Sequence, residues 1–314
     1  MKEIKEISVI NRIKFLLNNV LNYSGTNFPM QNYISIERKD IYKIKKFPYI
    51  FYKKNENEKN SILFFFNDVD ESNKCVIIDR DFTMYYIDIE ITRHSKEHSK
   101  EHSKESSVLE ISYTEDKIIL YDIYAFRGID TKNWSYTDRY KCLDNLLFNT
   151  TKNIHLCSTF TDLNEFNEND TIFMVANKKP IFLGNNYNYF KWKNTCNINF
   201  CLKVIEDCED LLLFAYNYKK DILFAKVHFS DINGKEHINS IKNLPGYKNE
   251  CIIEINTDQD KIKILKISEN FPSSLRSIEK IIHLKNENIK LKELTIDQRS
   301  CSCVCDGMPP ACDP

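Results

Sequence analysis

The stretch Tyr189–Phe200 reads Y-F-K-W-K-N-T-C-N-I-N-F and sets Lys191 and Lys193 two residues apart around Trp192. On an extended strand, residues i and i+2 project from one face, so both ammonium groups can converge on a single anion while Trp192 faces the other way. A phosphate is the obvious anion. The same spacing also suits an edge strand whose solvated lysines guard against strand pairing.

The elements that must position these lysines belong to a chain of 314 residues, long enough for two cores. Its 44 basic and 45 acidic residues leave a formal net charge of −1, so any basic surface for a nucleic acid must be local. With 42% hydrophobic and 12% aromatic residues but only 6 glycines and 8 prolines, the composition suits a globular, strand-rich protein. No run approaches the roughly 18 apolar residues of a membrane span, and M-K-E-I-K-E-I lacks a signal-peptide core. The expectation is a soluble intracellular protein, of nucleus or cytoplasm, with no membrane partner. Seven dispersed cysteines (Cys75, Cys142, Cys157, Cys196, Cys201, Cys208, Cys251) fit small buried apolar residues in a reducing compartment.

In chain order, Ile4, Ile7, Ile10, Ile13, Leu16, Leu17 and Leu21 recur at three- and four-residue steps and predict a packing helix. Phe47–Glu90 alternates as strands of an antiparallel meander. Residues 94–107 repeat H-S-K-E; His94, His98 and His102 could line one helix face as a metal site, or the repeat could be a solvated loop. Two more strands follow, the second ending at Gly128. Ser135-x-x-Asp138 then opens a helix with a Tyr140, Leu143, Leu146, Leu147 stripe. Residues 154–160 and 171–177 read as strands, and Lys178–Gly184 as the turn before the Lys-Trp-Lys strand.

The run I-I-L-Y-D-I-Y-A-F-R-G-I-D, the helix carrying Arg139, and then T-I-F-M-V-A-N-K-K-P-I-F-L-G-N-N-Y-N-Y-F-K-W-K resemble, in order and spacing, the nucleotidyltransferase domain of mRNA capping guanylyltransferases. The anchors are Tyr121, Asp122, Gly128, Arg139, Ile172, Phe173, Pro180, Gly184, Lys191, Trp192, Lys193 and the C-N-I-N-F of Cys196–Phe200. Upstream, Asp79-Arg80 matches the family's L-I-D-R. Y-I-F-Y-K-K-N-E-N-E-K lies where the family has Y-x-V-x-x-K-x-D-G-x-R. That register puts Lys54 at the nucleophile, Glu56 at the Asp, Asn57 at the Gly and Lys59 at the Arg. Glu110 in V-L-E-I matches the Glu of D-G-E-L, while Asn169-Asp170 stands where the family has an Asp-Gly pair.

The resemblance implies that Lys54 attacks the α-phosphate of GTP, releases pyrophosphate and passes GMP to the diphosphate 5′ end of RNA. It further implies that Lys191 and Lys193 stabilise the phosphates, Lys59 contacts the ribose, Tyr121 stacks on the base, and Arg80 and Lys266 complete the nucleotide contacts. Glu110 and Asp170 would hold Mg²⁺ or Mn²⁺. Other capping enzymes or RNA polymerase are candidate partners. The alternative, on the substitutions at Glu56-Asn57 and Asn169-Asp170, is a catalytically silent relative that binds nucleotide or RNA or acts as a scaffold.

The expected fold is α+β: a nucleotidyltransferase domain of antiparallel sheets with flanking helices over residues 1–207, with residues 94–107 as a low-complexity insert. It is followed by an OB-fold-like β-barrel over 208–295, where L-L-L-F-A-Y, D-I-L-F-A-K-V-H-F, E-C-I-I-E-I and K-I-K-I-L-K-I alternate as barrel strands before a helix. Residues 296–314 form a tail whose C-x-C-x-C spacing is unnatural for a compact zinc site, which leaves a mobile appendage or a metal or redox segment.

Overall fold

The computed structural model describes residues 1–54, 58–67, 72–92, 106–150, 152–194, 197–204, 210–217, 220–228, 232–233, 250–256, 262–267 and 272–295. The H-S-K-E repeat with His94, His98 and His102, the cysteine tail, and Glu56 and Asn57 lie outside them. The chain divides into two compact units: Lys193–Lys290, and Met1–Trp192 together with the short helix Leu291–Leu294.

The first unit is built on two large sheets, beside a two-stranded one of Glu90–Thr92 and Leu147–Asn149. The larger runs, edge to edge, Lys2–Glu3, Met84–Tyr86, Asn73–Asp79, Lys59–Asn67, Ser107–Tyr113, Lys117–Phe126 and Ile129–Asp130; Asn153–Leu156 adds in parallel to Lys117–Phe126. The smaller runs Thr159–Phe160, Tyr49–Lys53, Ile172–Ala176, Gly184–Trp192 and Gln31–Ser35. The uninterrupted I-L-F-F-F of the Lys59–Asn67 strand is explained by burial on both faces. Ile62, Phe64 and Phe66 enter one core, with Tyr52, Val175 and Tyr189 of the smaller sheet and Ile13, Leu17 and Leu21 of the first helix. Leu63 and Phe65 enter another, with Leu109, Ile123 and Leu143.

The N-terminal periodicity forms the helix Ile7–Leu21, which buries Ile13, Leu17 and Leu21 and ends at Asn22 in the left-handed region (φ 48°). Ile4, part of the same apolar pattern, lies before the helix and donates its N–H to Met84 O (2.9 Å). Ser135 caps the helix Tyr136–Asp144 by accepting from Asp138 N–H at 3.1 Å. Among the described residues no helix is long and apolar enough to cross a membrane. Cys75, Cys157 and Cys201 are buried.

The second unit corrects the expectation of an OB-fold-like barrel. The predicted strands form, but as an open sheet in the order Lys220–His228, Asp210–Asn217, Asn197–Val204, Glu250–Asn256, Ile262–Ile267, Ile232–Asn233. Among the described residues the two terminal strands do not pair, so the sheet does not close on itself. The core explains why. Ile278 of the helix Leu275–Glu287 is fully buried with Phe200, Leu213, Ala215, Ile253 and Ile255, so a helix covers the apolar face that a barrel would cover by curling. Alternating apolar residues report that a face is buried, not what buries it.

Candidate active site

The Tyr49–Lys53 strand ends one residue before Lys54, whose N–H reaches Thr171 O (3.5 Å). Alternation puts Tyr52 and Lys54 on one face and Lys53 on the other. Lys54 is 7% exposed; its Nζ donates to Glu110 Oε1 at 3.1 Å and stands 4.2 Å from the Tyr121 ring centre and 5.5 Å from that of Phe173. Burial pushes the pKa of this amine below the ordinary lysine value, and the Arg80 charge acts in the same direction against the attraction of Glu110.

Glu110 is itself fully buried. Its second oxygen, Oε2, accepts from Gln31 Nε2 (3.1 Å) and Tyr124 OH (2.5 Å). Tyr121 and Tyr124 both reach this core because the Lys117–Phe126 strand is irregular there. Its register against Ser107–Tyr113 shifts once on each side of the Glu110–Asp122 pair, passing over Tyr124 and then Tyr121. Such bulges re-aim side chains that strict alternation would send to opposite faces.

Beside the lysine, Asp122 and Arg139 form a second buried ion pair, Nε to Oδ1 at 2.7 Å and Nη2 to Oδ2 at 3.0 Å. Arg139 also donates to Trp134 O (2.6 Å) and Tyr189 OH (3.2 Å). Burial works against the guanidinium charge, but Asp122 outweighs it and holds the group more firmly protonated than usual.

Of the residues singled out in the sequence, Lys54, Glu110 and Tyr121 come together, with Arg80 near enough to act on the lysine. Arg80 also sits 3.8 Å from Met30 Sδ. Lys191 shares a cross-strand row with Phe173 and Tyr52 on the Lys54 face, and is exposed while Trp192 is buried. Lys59 reaches Asp79 at 3.5 Å. Asp170 turns elsewhere: its carboxylate is held by Lys53 (2.9 Å), on the opposite strand face, and by Asn167 N–H (2.8 Å). Lys193 opens the second unit, and Lys266 pairs by backbone with Glu254 in that unit's sheet.

Sequence reasoning passed over three residues. Glu58 is buried; its Oε2 accepts from Ser112 OH (2.6 Å) and Tyr121 OH (3.4 Å), and its Oε1 from Lys117 (2.8 Å). Burial opposes its charge, but these bonds outweigh it and hold the carboxyl below its usual range. Tyr124 and Gln31 complete the shell around Glu110, and the Gln31 amide oxygen is a buried acceptor with no partner among the described residues. A lone Gln after F-P-M carries no signal on its own. Tyr124 was hidden by the bulge.

Among the described residues no group of three His, Cys, Asp or Glu side chains could hold a metal ion. Glu110 offers one carboxylate, already engaged by three donors. A Mg²⁺ ion there would take most of its ligands from phosphate and water, as that ion commonly does.

A buried lysine whose pKa is lowered can serve as a nucleophile once it has lost its proton. Residues 4–161, half of the chain, match the family described as mRNA capping enzyme, catalytic domain, and the chain belongs to that family. No curated protein sequence matches it. Solved structures with similar folds include a Lig E DNA ligase (12% identity, TM-score 0.37, covering 77% of this chain and 99% of that one). Others are mycobacterial DNA ligase D complexed with ATP (7%, 0.42, 77% and 95%) and the ATP-dependent DNA ligase of bacteriophage T7 (8%, 0.34, 76% and 98%).

Proposed function

We propose that the protein is an mRNA guanylyltransferase, with Lys54 as the residue that carries GMP. The observation supporting this most directly is the Lys54 amine, buried 3.1 Å from Glu110 with its pKa lowered, in a chain of the capping family. The neutral amine attacks the α-phosphorus of GTP. A P–N bond forms as the P–O bond to pyrophosphate breaks, and the nitrogen, positively charged on bonding, gives one proton to solvent. A diphosphate RNA end then attacks the same phosphorus, and the P–N bond breaks as the nitrogen takes a proton back, restoring Lys54.

Lys191, in the Phe173–Tyr52 row, and Lys193 and Lys59 supply fixed cations for the phosphates and ribose. A divalent ion, Mg²⁺ or Mn²⁺, would neutralise phosphate charge beside Glu110, the carboxylate best placed to hold it. Asp170, paired with Lys53, would have to turn to join it. Gln31 offers its unpartnered oxygen to a ligand N–H. Other capping enzymes or RNA polymerase would be the protein partners, and the units beginning at Met1 and Lys193 would act as separate domains.

One observation favours the second reading, a silent nucleotide- or RNA-binding relative: Lys54 is 7% and Tyr121 1% exposed, so a nucleotide must displace side chains to reach either. Incubation with α-labelled GTP and Mg²⁺ or Mn²⁺, followed by diphosphate-ended RNA, separates the two. Label moving from protein to RNA, and lost with Lys54→Ala, is expected. No protein label with GTP or ATP would leave the silent reading.

A further inference from the structure

The first unit carries a second concentration of positive charge that takes no part in the Lys54 site. The helix Ile41–Lys46 runs into Phe47, and the turn after Ile172–Ala176 is tied beside it by Asn177 N–H to Pro48 O (3.0 Å). Lys46 Nζ and Lys179 Nζ lie 5.8 Å and 5.5 Å from the Phe47 ring centre. Phe47 is 37% exposed, and Tyr42, one helical turn before Lys46, is 60% exposed.

Lys45, Lys46, Lys178 and Lys179 are all exposed, and among the described residues none has a carboxylate partner. Lys39 and Lys43 of the same segment differ, being paired with Glu37 and Asp40. On a chain of net charge −1, Lys45, Lys46, Lys178 and Lys179, two of them beside the exposed Phe47 ring, form a local basic surface. A ring for a base and cations for the backbone are the two parts a single-stranded nucleic acid requires. A peptide added as a strand finds little edge here: Tyr49–Lys53 is paired along its length with Ile172–Ala176 on one side, and Phe51 and Tyr52 are paired with Thr159–Phe160 on the other.

We propose that this patch docks single-stranded RNA, with Phe47 stacking on one base while Lys46 and Lys179 swing from the ring to the flanking phosphates. The inference deepens the guanylyltransferase reading by giving the acceptor RNA a track. Seven residue steps separate Phe47 from Lys54, at ~3.3 Å each roughly 23 Å of extended chain. An RNA whose 5′ end reaches Lys54 and that runs back along this strand would meet the patch a few nucleotides downstream.

The test is fluorescence anisotropy of the full chain with a fluorescein-labelled oligouridylate, without GTP, across a salt series. The double variant Lys46→Ala/Lys179→Ala should bind about tenfold or more weakly and flatten the log–log salt slope by about 1.4, roughly 0.7 per lost phosphate contact. Phe47→Leu should weaken binding roughly tenfold with the slope unchanged. Thermal melts matching wild type confirm that the exposed substitutions leave the fold intact. Wild-type affinity in either variant, or a slope the double variant does not change, would overturn the proposal. So would an acidic phosphopeptide that binds more tightly than the RNA in a Phe47-dependent way, since it would assign the patch to a protein partner. The lysine adduct with GTP is read without RNA, so loss of one signal with the other intact tells which inference has failed.

Discussion

Two buried ion pairs stand side by side in the first unit, and they treat their cations in opposite ways. Arg139 meets Asp122 through two hydrogen bonds and gives its other donors to Trp134 O and Tyr189 OH, which raises its pKa. Lys54 meets Glu110 through one bond of 3.1 Å, against aromatic rings and the Arg80 charge, and its pKa falls. Glu110 and Asp122 are cross-strand partners, so the difference is not one of location. It comes from the balance of burial against the partner's charge: Asp122 outweighs burial at Arg139, while burial outweighs Glu110 at Lys54. The first pair keeps its guanidinium charged as part of the scaffold. The other leaves its amine able to lose a proton, which a nucleophile requires.

The largest expected effect is on the scaffold pair. Arg139→Met should cost about 3–5 kcal/mol in urea unfolding by stranding a buried carboxylate, and adding Asp122→Leu should recover most of it. Equal losses in the single and double variants would break the comparison. Lys54→Met should cost less, about 1–3 kcal/mol, because Glu110 keeps Gln31 and Tyr124 as donors.

The pH dependence sharpens the contrast. Lys54 loses its proton in the folded chain at a lower pH than in the unfolded chain, where its value is near 10.5. Between those two values the unfolded state binds more protons, so this group adds stability as pH rises. Urea midpoints should show that gain below pH 10.5 in wild type and lack it in Lys54→Met. The smallest effects are shifts of the limb along which adduct formation rises with pH as Lys54 loses its proton. Arg80→Gln removes a cation that lowers the Lys54 pKa, so the limb should move to higher pH. Glu110→Gln removes the opposing carboxylate, so any residual activity should have its limb at lower pH. Shifts in the same direction for both would contradict the electrostatic account.

Part of this site could be read in the sequence through short runs. The resemblance of Y-I-F-Y-K-K-N-E-N-E-K and V-L-E-I to the capping family's patterns singled out Lys54 and Glu110, and the Ser135 cap announced the helix that carries Arg139. What could not be read depends on irregular backbone or distant packing. The bulges that turn Tyr121 and Tyr124 into one core leave no trace in the alternation of I-I-L-Y-D-I-Y-A-F. Gln31 lies 79 residues from the carboxylate it holds. Asp170 has the right chemistry for a metal ligand, but strand parity gives it to Lys53. The open sheet of the second unit was missed for a related reason: the helix that covers its core lies after the strands.

The most direct test of the central claim is peptide mapping of the protein after incubation with GTP and Mg²⁺, with mass spectrometry locating any guanylate and its acid and alkali stability recorded. The account predicts one acid-labile, alkali-stable guanylate on the peptide containing Lys54. Guanylate on a different residue, or an unmodified Lys54 peptide with Mg²⁺ and with Mn²⁺, would contradict it.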